Sequence, residues 1–550
     1  MSKRLDAANF RVAGAHANVA DYHPHAQALG RDGVRDFFMP APEASADRLL
    51  KRLLADFAQL LNGAGIDNNR TAEAIWLMSI YLALDAVSTF IMLQIATGNE
   101  ARRLGVAYGG DESALTRLGR GQTFDSAVAV RLQSKDFKPS LIRTWGRFAR
   151  ACLRGDDVSR KPPLLIDRQS DILCFAAEPW HRRLASEQGK CLVLSHPENW
   201  FAGFAAKRES SSRNLDQNLI GQVTDICANA IRDEGLRIPD HVRASLNANV
   251  AATVQTAAAM RASLEAKRRY LPREFWATSM GPAYNRVLAR VVQKEGGSVT
   301  AFDHGTGCGW MNMPELVAFE WDFCDRFITF SETHAEAIRN MAAQGGRYKV
   351  NARECVVSAS RFPLYDVSIA GKGGHPRGGR EKLSVWYVPT HYTQEQFYVP
   401  PVPPDVVELD FQVRLLCDLA DLGHEVVVKP HPGCKVGLPP GLIDCCGARI
   451  DKRPFEEIVA EPDVVVFDYP QSTALRSAVI AGIPMVVLDP GRTPFLPDAM
   501  SLLQRRAAVV PIERDAENRR HVAKAALSAA VAEAPQRMSD AFQRAYYPVV

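Results

Sequence analysis

The spacing of apolar residues separates a helical first part of the chain from a longer part in which helices and strands alternate. From about residue 46 to residue 152, apolar side chains recur at helical spacing, as in ADRLLKRLLADFAQLLNGAG, which predicts helices that stop at glycines such as Gly63 and Gly65. Near Pro162 the pattern changes to short apolar runs closed by polar residues or proline, as in GKCLVLSHP. Such runs predict buried strands of a parallel sheet.

The alternation of helices and strands is clearest after residue 282 and is interrupted once. Residues 215–269 are predicted to be helical, and from Pro282 onwards the order is helix, strand, strand, helix and strand, ending at ECVVSAS. The segment IAGKGGHPRGGREK, residues 369–382, is rich in glycine and basic residues and predicts a linker. Beyond it a second series runs from KLSVWYVPT, through a predicted helix RPFEEIVAE, to a terminal helix at about residues 516–545.

These patterns predict an α/β protein with two Rossmann-like domains. The predicted parts are an α-helical N-terminal region at residues 1–160, a first Rossmann-like domain at 161–368 and a second at 383–550. Domains of this kind bind ligands beside the carboxyl ends of their strands. Two of them in sequence are therefore expected to share a cleft, with the acceptor side on the first domain and the donor side on the second.

One segment of the N-terminal region is apolar enough to cross a membrane. Residues Ala74 to Thr97 carry a single formal charge, Asp85, over a length that could span a bilayer as a helix. Asp85 would then lie near the middle of the bilayer, and several hydroxyl side chains dilute the hydrophobicity. We favour a helix buried in the protein core over a membrane span.

Composition excludes several classes of protein. With 47% hydrophobic and 23% charged residues the chain has the balance of a globular protein, which argues against wholesale disorder. The 66 Lys and Arg residues against 62 Asp and Glu leave a formal charge of +4, too small for a protein whose main partner is a nucleic acid. The eleven cysteines show no CxxC pair, and no apolar stretch follows the basic N-terminus. We expect a cytoplasmic protein, with contact at the inner face of the membrane kept open.

Two loops of the second domain carry residues suited to phosphate. Lys429-Pro430-His431-Pro432 follows a buried strand, so a cation and an imidazole are expected at its carboxyl end. Ser472 and Thr473 stand at a predicted helix start, where hydroxyls and backbone N–H groups bind anions. A plain N-cap is the alternative for this pair. His196, which also ends a predicted strand, is a secondary candidate.

A glycine-rich loop of the first domain follows the strand SVTAF. Asp303 and His304 begin it, and Gly305, Gly307 and Gly309 are expected to let the backbone approach a ligand closely, unless they only form a tight turn. His304 could accept a proton from an incoming hydroxyl. The loop lacks the dinucleotide-binding glycine spacing, and the chain has no GxxxxGK[ST], HExxH or GxSxG motif.

Together these motifs resemble a known group of enzymes. The HGT of the first domain, Pro389-Thr390 after a strand, KPHP, and the loop of Asp468, Tyr469, Ser472 and Thr473 resemble the CDP-glycerol glycerophosphotransferases. They are similar also to the CMP-sugar transferases of bacterial surface-glycan synthesis, which hold cytidine nucleotides with a His-Pro motif and a Ser/Thr loop. Both groups have the GT-B fold, and the resemblance covers about residues 280 to 490.

The resemblance implies a GT-B glycosyltransferase. It would move a sugar, such as a nonulosonate or Kdo, from a CMP-linked donor to a hydroxyl on a glycan, lipid-linked or protein acceptor. No cofactor is expected, and the lack of a DxD motif at a strand end argues against a donor-site metal. The residues expected to carry the reaction are His304 or Asp303 as general base, His431 at the departing phosphate, and Lys429, Pro432, Ser472, Thr473 and Thr390 as donor-binding residues.

Three other functions remain open at this point. The first is transfer of glycerol or ribitol phosphate from a CDP-linked donor. The second is isomerisation, because nucleotide-sugar 2-epimerases share the two-domain fold. The third is a non-catalytic scaffold of a glycan assembly, in which the N-terminal helices would dock a partner or the membrane.

Overall fold

The two predicted sheets are present, with helices around them. The computed structural model describes residues 45–97, 117–118, 121–125, 166–204, 207–212, 214–305, 307–316, 320–344, 348, 355–361, 363–373, 382–390, 405–431, 438, 443–444, 446–515 and 519–549. Pro432 and the part of the predicted N-terminal helical region after residue 125 lie outside the described residues.

The first domain is a parallel sheet of six described strands in the order β2-β1-β3-β4-β5-β6. Its strands are β1 (Asp171–Cys174), β2 (Cys191–Leu194), β3 (Glu274–Ala277), β4 (Ser298–Phe302), β5 (Arg326–Thr329) and β6 (Val356–Ala359). Its helices are α3 (Pro179–Glu187), α4 (Pro197–Phe201), α8 (Ala283–Lys294) and α9 (Glu332–Gln344). Strand β3 was not predicted, because this four-residue strand follows a long helical stretch and has no run of β-branched residues.

The second domain repeats this design in the strand order β12-β11-β10-β7-β8-β9. Its strands are β7 (Ser384–Val388), β8 (Glu425–Val428), β9 (Arg449–Ile450), β10 (Val464–Phe467), β11 (Met485–Asp489) and β12 (Ala508–Pro511), and its helices are α10 (Asp405–Asp421), α11 (Thr473–Ala481) and α12 (Pro497–Arg506). All paired strands of both sheets run parallel. The predicted α/β fold with two Rossmann-like domains is therefore confirmed.

Two helix predictions in the second domain were wrong. The segment RPFEEIVAE forms only a short 3-10 turn at Phe455–Glu457. The single terminal helix expected at residues 516–545 is replaced by a small hairpin of β13 (Glu513–Arg514) and β14 (Arg520–His521), then α13 (Lys524–Glu533) and α14 (Ala541–Tyr546). Pro462 ends the first segment after less than two turns beyond Phe455, and Pro535 separates α13 from α14 in the second.

The N-terminal helices pack against helices inserted between β2 and β3. The four that pack together are α1 (Ser45–Ala64), α2 (Arg70–Thr97), α6 (Gln217–Asp233) and α7 (Asp240–Glu265), and the short α5 (Arg208–Ser212) packs on α7. By length and composition α2 is the one helix in the described part of the chain that could span a membrane, and 89% of its most apolar window is buried inside the protein. This agrees with the interpretation of the segment as a buried helix.

An ion-pair cluster centred on Glu73 fastens α2 to its neighbours. The carboxylate of Glu73 is 1% exposed and contacts Arg261 of α7, Arg290 of α8 at 2.6 Å and Lys294 of α8 at 2.7 Å. Tyr81, further along α2, donates a hydrogen bond to the carbonyl of Gly281 at 2.6 Å. A buried charge is tolerable only with such partners, so these contacts are specific to a packed helix.

The end of the chain packs on the first domain. Helix α14 contacts both α9 and α12. Trp310 donates its indole N–H to the hydroxyl of Tyr547 at 3.1 Å, and the hydroxyl of Tyr365 donates to the carbonyl of Pro548 at 2.6 Å. The terminal segment therefore contacts helices of both domains.

Candidate functional site

The glycine loop after β4 meets the start of helix α11, so loops from the two sheets do come together. Gly305, Gly307 and Gly309 all have positive φ, at +92°, +83° and +82°. A Cβ on Gly305 would lie 3.2 Å from Nη1 of Arg476, and one on Gly307 would lie 3.0 Å from Sδ of Met311 and 3.2 Å from Cγ of Gln471. The glycines do allow close approach of the backbone, and the side chains that approach include two from the second domain, Gln471 and Arg476.

The third glycine makes room for a side chain of the first domain. A Cβ on Gly309 would lie 1.7 Å from Cδ2 of His334, a residue in the first turn of α9. His334 is fully buried. Only glycine satisfies both the backbone conformation and this contact.

Asp303 points into the first domain. Its carboxylate is 1% exposed and accepts hydrogen bonds from the N–H of Gly305 at 2.8 Å and from the hydroxyl of Thr329 at 3.3 Å, while Nε2 of His334 lies 3.2 Å away. Burial raises the pKa of Asp303 to about 7, and the hydrogen bonds and the charge of Arg476 oppose that rise. In this conformation the carboxylate is shielded from an acceptor hydroxyl.

His304 occupies the next position and is half-buried. Its main-chain carbonyl accepts a hydrogen bond from Nη1 of Arg476 at 3.4 Å, which joins the two domains. Burial, with a further contribution from the charge of Arg476, lowers the pKa of His304 to about 4. The imidazole is therefore neutral at neutral pH and retains a lone pair for a proton.

The Lys429-Pro430-His431 segment follows β8, as predicted. The amide of Lys429 continues the sheet by donating to the carbonyl of Tyr387 at 2.8 Å, but its side chain is buried and its ammonium donates to the carbonyl of Pro430 at 3.1 Å. Burial lowers the pKa of Lys429, and Asp451 and Glu456 oppose this. The ammonium of Lys429 is thus turned towards its own loop, and binding of the donor by Lys429 stays a prediction.

His431 is the exposed member of this segment. Partial desolvation lowers its pKa, and the positive charge of Lys429 adds to the effect. A neutral imidazole that can donate one hydrogen bond thus lies at the carboxyl edge of the second sheet. His196 is a half-buried residue that immediately precedes the short helix α4 in the first domain.

Asp468, just after β10, organises the neighbouring strand end. It accepts hydrogen bonds from the amide of Thr390 at 2.6 Å, the hydroxyl of Thr390 at 2.8 Å and the hydroxyl of Tyr387 at 2.7 Å, and Gln412 of α10 contributes another at 3.1 Å. Burial raises the pKa of Asp468 to about 6 despite these donors. The hydroxyl of Thr390 donates its proton to Asp468, so the main role of this side chain is to hold the end of β7 against the end of β10.

Ser472 and Thr473 stand at the start of α11, as the sequence predicts. Ser472 is the N-cap residue, with φ −65° and ψ 130°, but its hydroxyl makes no capping hydrogen bond. Ser472 is half-buried and Thr473 is exposed. Ser472 therefore has the backbone conformation of an N-cap residue, but its hydroxyl does not cap the helix. The helix start can still bind an anion.

Arg476 is the residue that the sequence analysis missed. It is the one charged residue of α11, and its guanidinium lies 5.5 Å from the centre of the Phe330 ring and beside the carbonyl of His304. It thus places a permanent positive charge between the helix start and the glycine loop. The available signal was a single charged residue in an otherwise uncharged helix, and no known motif includes it.

Comparisons with known proteins identify no family. No family model matches the chain, and no curated protein matches it. Among solved structures, Os79 from O. sativa in complex with UDP and deoxynivalenol-3-glucoside is 12% identical over 68% of this chain and 95% of that chain, with a TM-score of 0.35. Os79 in complex with U2F and trichothecene is 12% identical over 68% and 92%, with a TM-score of 0.34. The fold assignment rests on the two sheets described above.

Proposed function

We propose that this protein is a glycosyltransferase that moves a sugar from a nucleotide-activated donor to a hydroxyl acceptor, in a cleft between its two Rossmann-like domains. The observation that carries the proposal is the meeting of the Asp303–Gly309 loop with Gln471 and Arg476, which stand on either side of Ser472 and Thr473 at the start of α11. Ligands of parallel-sheet domains bind at such carboxyl edges. Here a candidate proton acceptor from one domain lies close to a candidate phosphate site from the other.

The donor phosphate would bind at the start of α11. The free end of a helix favours negative charge, and the hydroxyls of Ser472 and Thr473 can donate to phosphate oxygens. Arg476 adds a permanent charge within the same helix. His431 follows β8, which β7 separates from β10 in the same sheet, and would donate a hydrogen bond to the departing phosphate. The ammonium of Lys429 donates to the carbonyl of Pro430, so this residue would act on the phosphate through its charge and not through a direct hydrogen bond.

The acceptor hydroxyl would transfer its proton to His304. Asp303 is a poor alternative because its carboxylate is buried and hydrogen-bonded within the first domain. A donor phosphate bound beside Arg476 would offset the positive charge that depresses the basicity of His304. Binding of the donor would thus make His304 a better base at the step that needs one.

The nature of the donor rests on the motif resemblance. KPHP, the Ser/Thr loop and HGT favour a CMP-linked acidic sugar, handled without a donor-site metal, and a glycan, lipid-linked or protein acceptor. Transfer of glycerol or ribitol phosphate from a CDP-linked donor is the alternative. We place the reaction in the cytoplasm, where nucleotide-activated donors are made, with the inner face of the membrane as the proposed site of lipid-linked acceptors.

The first experiment is a thermal-shift measurement with CMP, CDP, UMP, UDP and GDP. A ligand that binds the folded state raises the melting temperature by mass action. Selective stabilisation by CMP supports the acidic-sugar transferase, preference for CDP supports the phosphotransferase, and a response to uracil nucleotides alone would redirect the search to UDP-sugars. No response to any of them would refute nucleotide binding and favour the scaffold.

The second experiment tests the role of His431. His431→Ala should abolish turnover of the donor identified above while leaving the melting temperature near that of the parent, because the side chain is exposed. His521→Ala, at a half-buried histidine of the same domain, is the matched control and should retain turnover. Full activity in His431→Ala would remove this residue from the mechanism.

A further inference from the structure

Three side chains of different chemistry face one another beneath the glycine loop. Asp303 and Cys308 belong to the loop and His334 to helix α9, and all three are buried. One donor atom from each lies within 4.8 Å of the other two, and Oδ2 of Asp303 is 3.2 Å from Nε2 of His334. A tetrahedral zinc ion holds such atoms roughly 3.3–3.7 Å apart, so the cluster is close to ligand geometry.

The surroundings of the cluster favour a bound cation. The ring of His334 is fully buried, and two polar groups face it: the main chain of Tyr546, which accepts a hydrogen bond from the ring, and the carboxylate of Asp303, 3.2 Å from Nε2. The amide of Gly305 holds one oxygen of Asp303 at 2.8 Å, and the hydroxyl of Thr329 donates to the other at 3.3 Å, which is how a ligating carboxylate is oriented. A histidine whose one ring nitrogen donates to a main-chain carbonyl, while the other faces a carboxylate and a thiol, is arranged as metal-ligating histidines are.

We propose that Asp303, Cys308 and His334 bind a zinc ion. Carboxylate, thiolate and imidazole together form the donor set of a borderline-soft cation, and hard cations such as Mg²⁺ prefer oxygen ligands alone. One thiolate and one carboxylate balance the charge of Zn²⁺, so the occupied site is neutral, as burial among Phe330, Tyr546 and Tyr547 requires. Water completes the tetrahedron.

The ion has a structural role that is separate from the proposed donor site. It joins both ends of the Asp303–Gly309 loop to α9, and so holds the segment that carries His304. Such a site is invisible in the spacing of the sequence, because its ligands come from a strand end, a glycine turn and a helix. It is also independent of whether the protein transfers a sugar, since metal content is measured without any substrate.

The test is the metal content of the purified full-length protein. Elemental analysis should find about one zinc ion per chain. Replacement by cobalt should produce the thiolate-to-cobalt charge-transfer absorption that a cysteine ligand causes. Absence of bound metal, both as purified and after incubation with zinc or cobalt, would overturn the proposal and leave an ordinary hydrogen-bonded Asp–His pair beside a buried thiol.

Variants identify the ligands. Cys308→Ser and His334→Gln should lose the bound ion, and Cys308→Ser should lose the cobalt absorption while circular dichroism and gel filtration remain those of a folded protein. Cys324→Ser is the matched control, because this thiol is buried in the same domain, 3.6 Å from the sulfur of Cys355. An ion retained by Cys308→Ser, or lost from the control, would refute the assignment. If Cys308→Ser does not fold, the cobalt spectrum of the parent protein still decides whether a thiolate is bound.

Discussion

Replacement of Gly309 by alanine should destabilise the first domain, because two independent costs act at this position. The first is the backbone, since φ is +82° and the left-handed conformation costs an alanine about 1–2 kcal/mol. The second is steric, since the new Cβ would lie 1.7 Å from Cδ2 of His334, and a forced fit in a packed core costs about 1–3 kcal/mol. The expected total is about 2–5 kcal/mol.

Gly296 provides the control that separates the two costs. It lies in the same domain with φ +78°, and a Cβ there would have nothing within 4 Å. Gly296→Ala should therefore carry the backbone cost alone, about 1–2 kcal/mol. The assay is the melting temperature followed by circular dichroism, where each kcal/mol is about 2–4 °C for a domain of this size. Equal shifts for Gly296→Ala and Gly309→Ala would refute the packing of His334 against the loop.

Three further predictions concern charged side chains. Arg476→Ala should lower kcat/KM by about 10–150-fold, because it removes a charge-assisted hydrogen bond of about 1.5–3 kcal/mol. Arg505→Ala, at an exposed arginine of α12, is the control and should leave kcat/KM unchanged. Equal kcat/KM values for the two variants would contradict the role of Arg476. Burial raises the pKa of Glu315 to about 7, so the folded state binds the proton more tightly and the free energy of unfolding falls as pH rises from about 4.5 to 7. Glu315→Gln should remove this pH dependence, which amounts to at most about 3 kcal/mol. Melting temperatures of parent and variant that change in parallel with pH would contradict the prediction. Glu73→Gln should cost about 3–5 kcal/mol by leaving three cations without their carboxylate, whereas Glu234→Gln, at a more exposed ion pair, should cost less than about 1 kcal/mol in the same melting assay.

Much of the fold could be predicted because it follows from local patterns. Buried strands such as Val464–Phe467 are uninterrupted apolar runs, and the helices around them repeat their apolar side chains at helical spacing. The positions of His304, His431 and Ser472 at strand ends and at a helix start also follow from that alternation. Strand Glu274–Ala277 escaped prediction because so short an element is defined by its neighbours in the sheet.

The roles of the candidate site residues depended on contacts between distant segments. Residue type and position placed Lys429 and Thr390 at a ligand site, but packing turns the ammonium of Lys429 towards Pro430 and commits the hydroxyl of Thr390 to Asp468. Arg476 drew no attention in the sequence, because its importance comes from the first-domain loop that lies against it.

Local residue order was therefore enough to specify the class of fold, the succession of most elements and the loops at which chemistry is concentrated. Hydrophobic periodicity and turn residues act over a few positions, so the chain reveals them without its tertiary structure. Which side chains meet was decided only in three dimensions: Asp303 turned inward to His334, the glycine loop closed on α11, and α2 was buried around Glu73. Those contacts join residues far apart in the sequence, and their free energy depends on burial and distance, which no local pattern encodes.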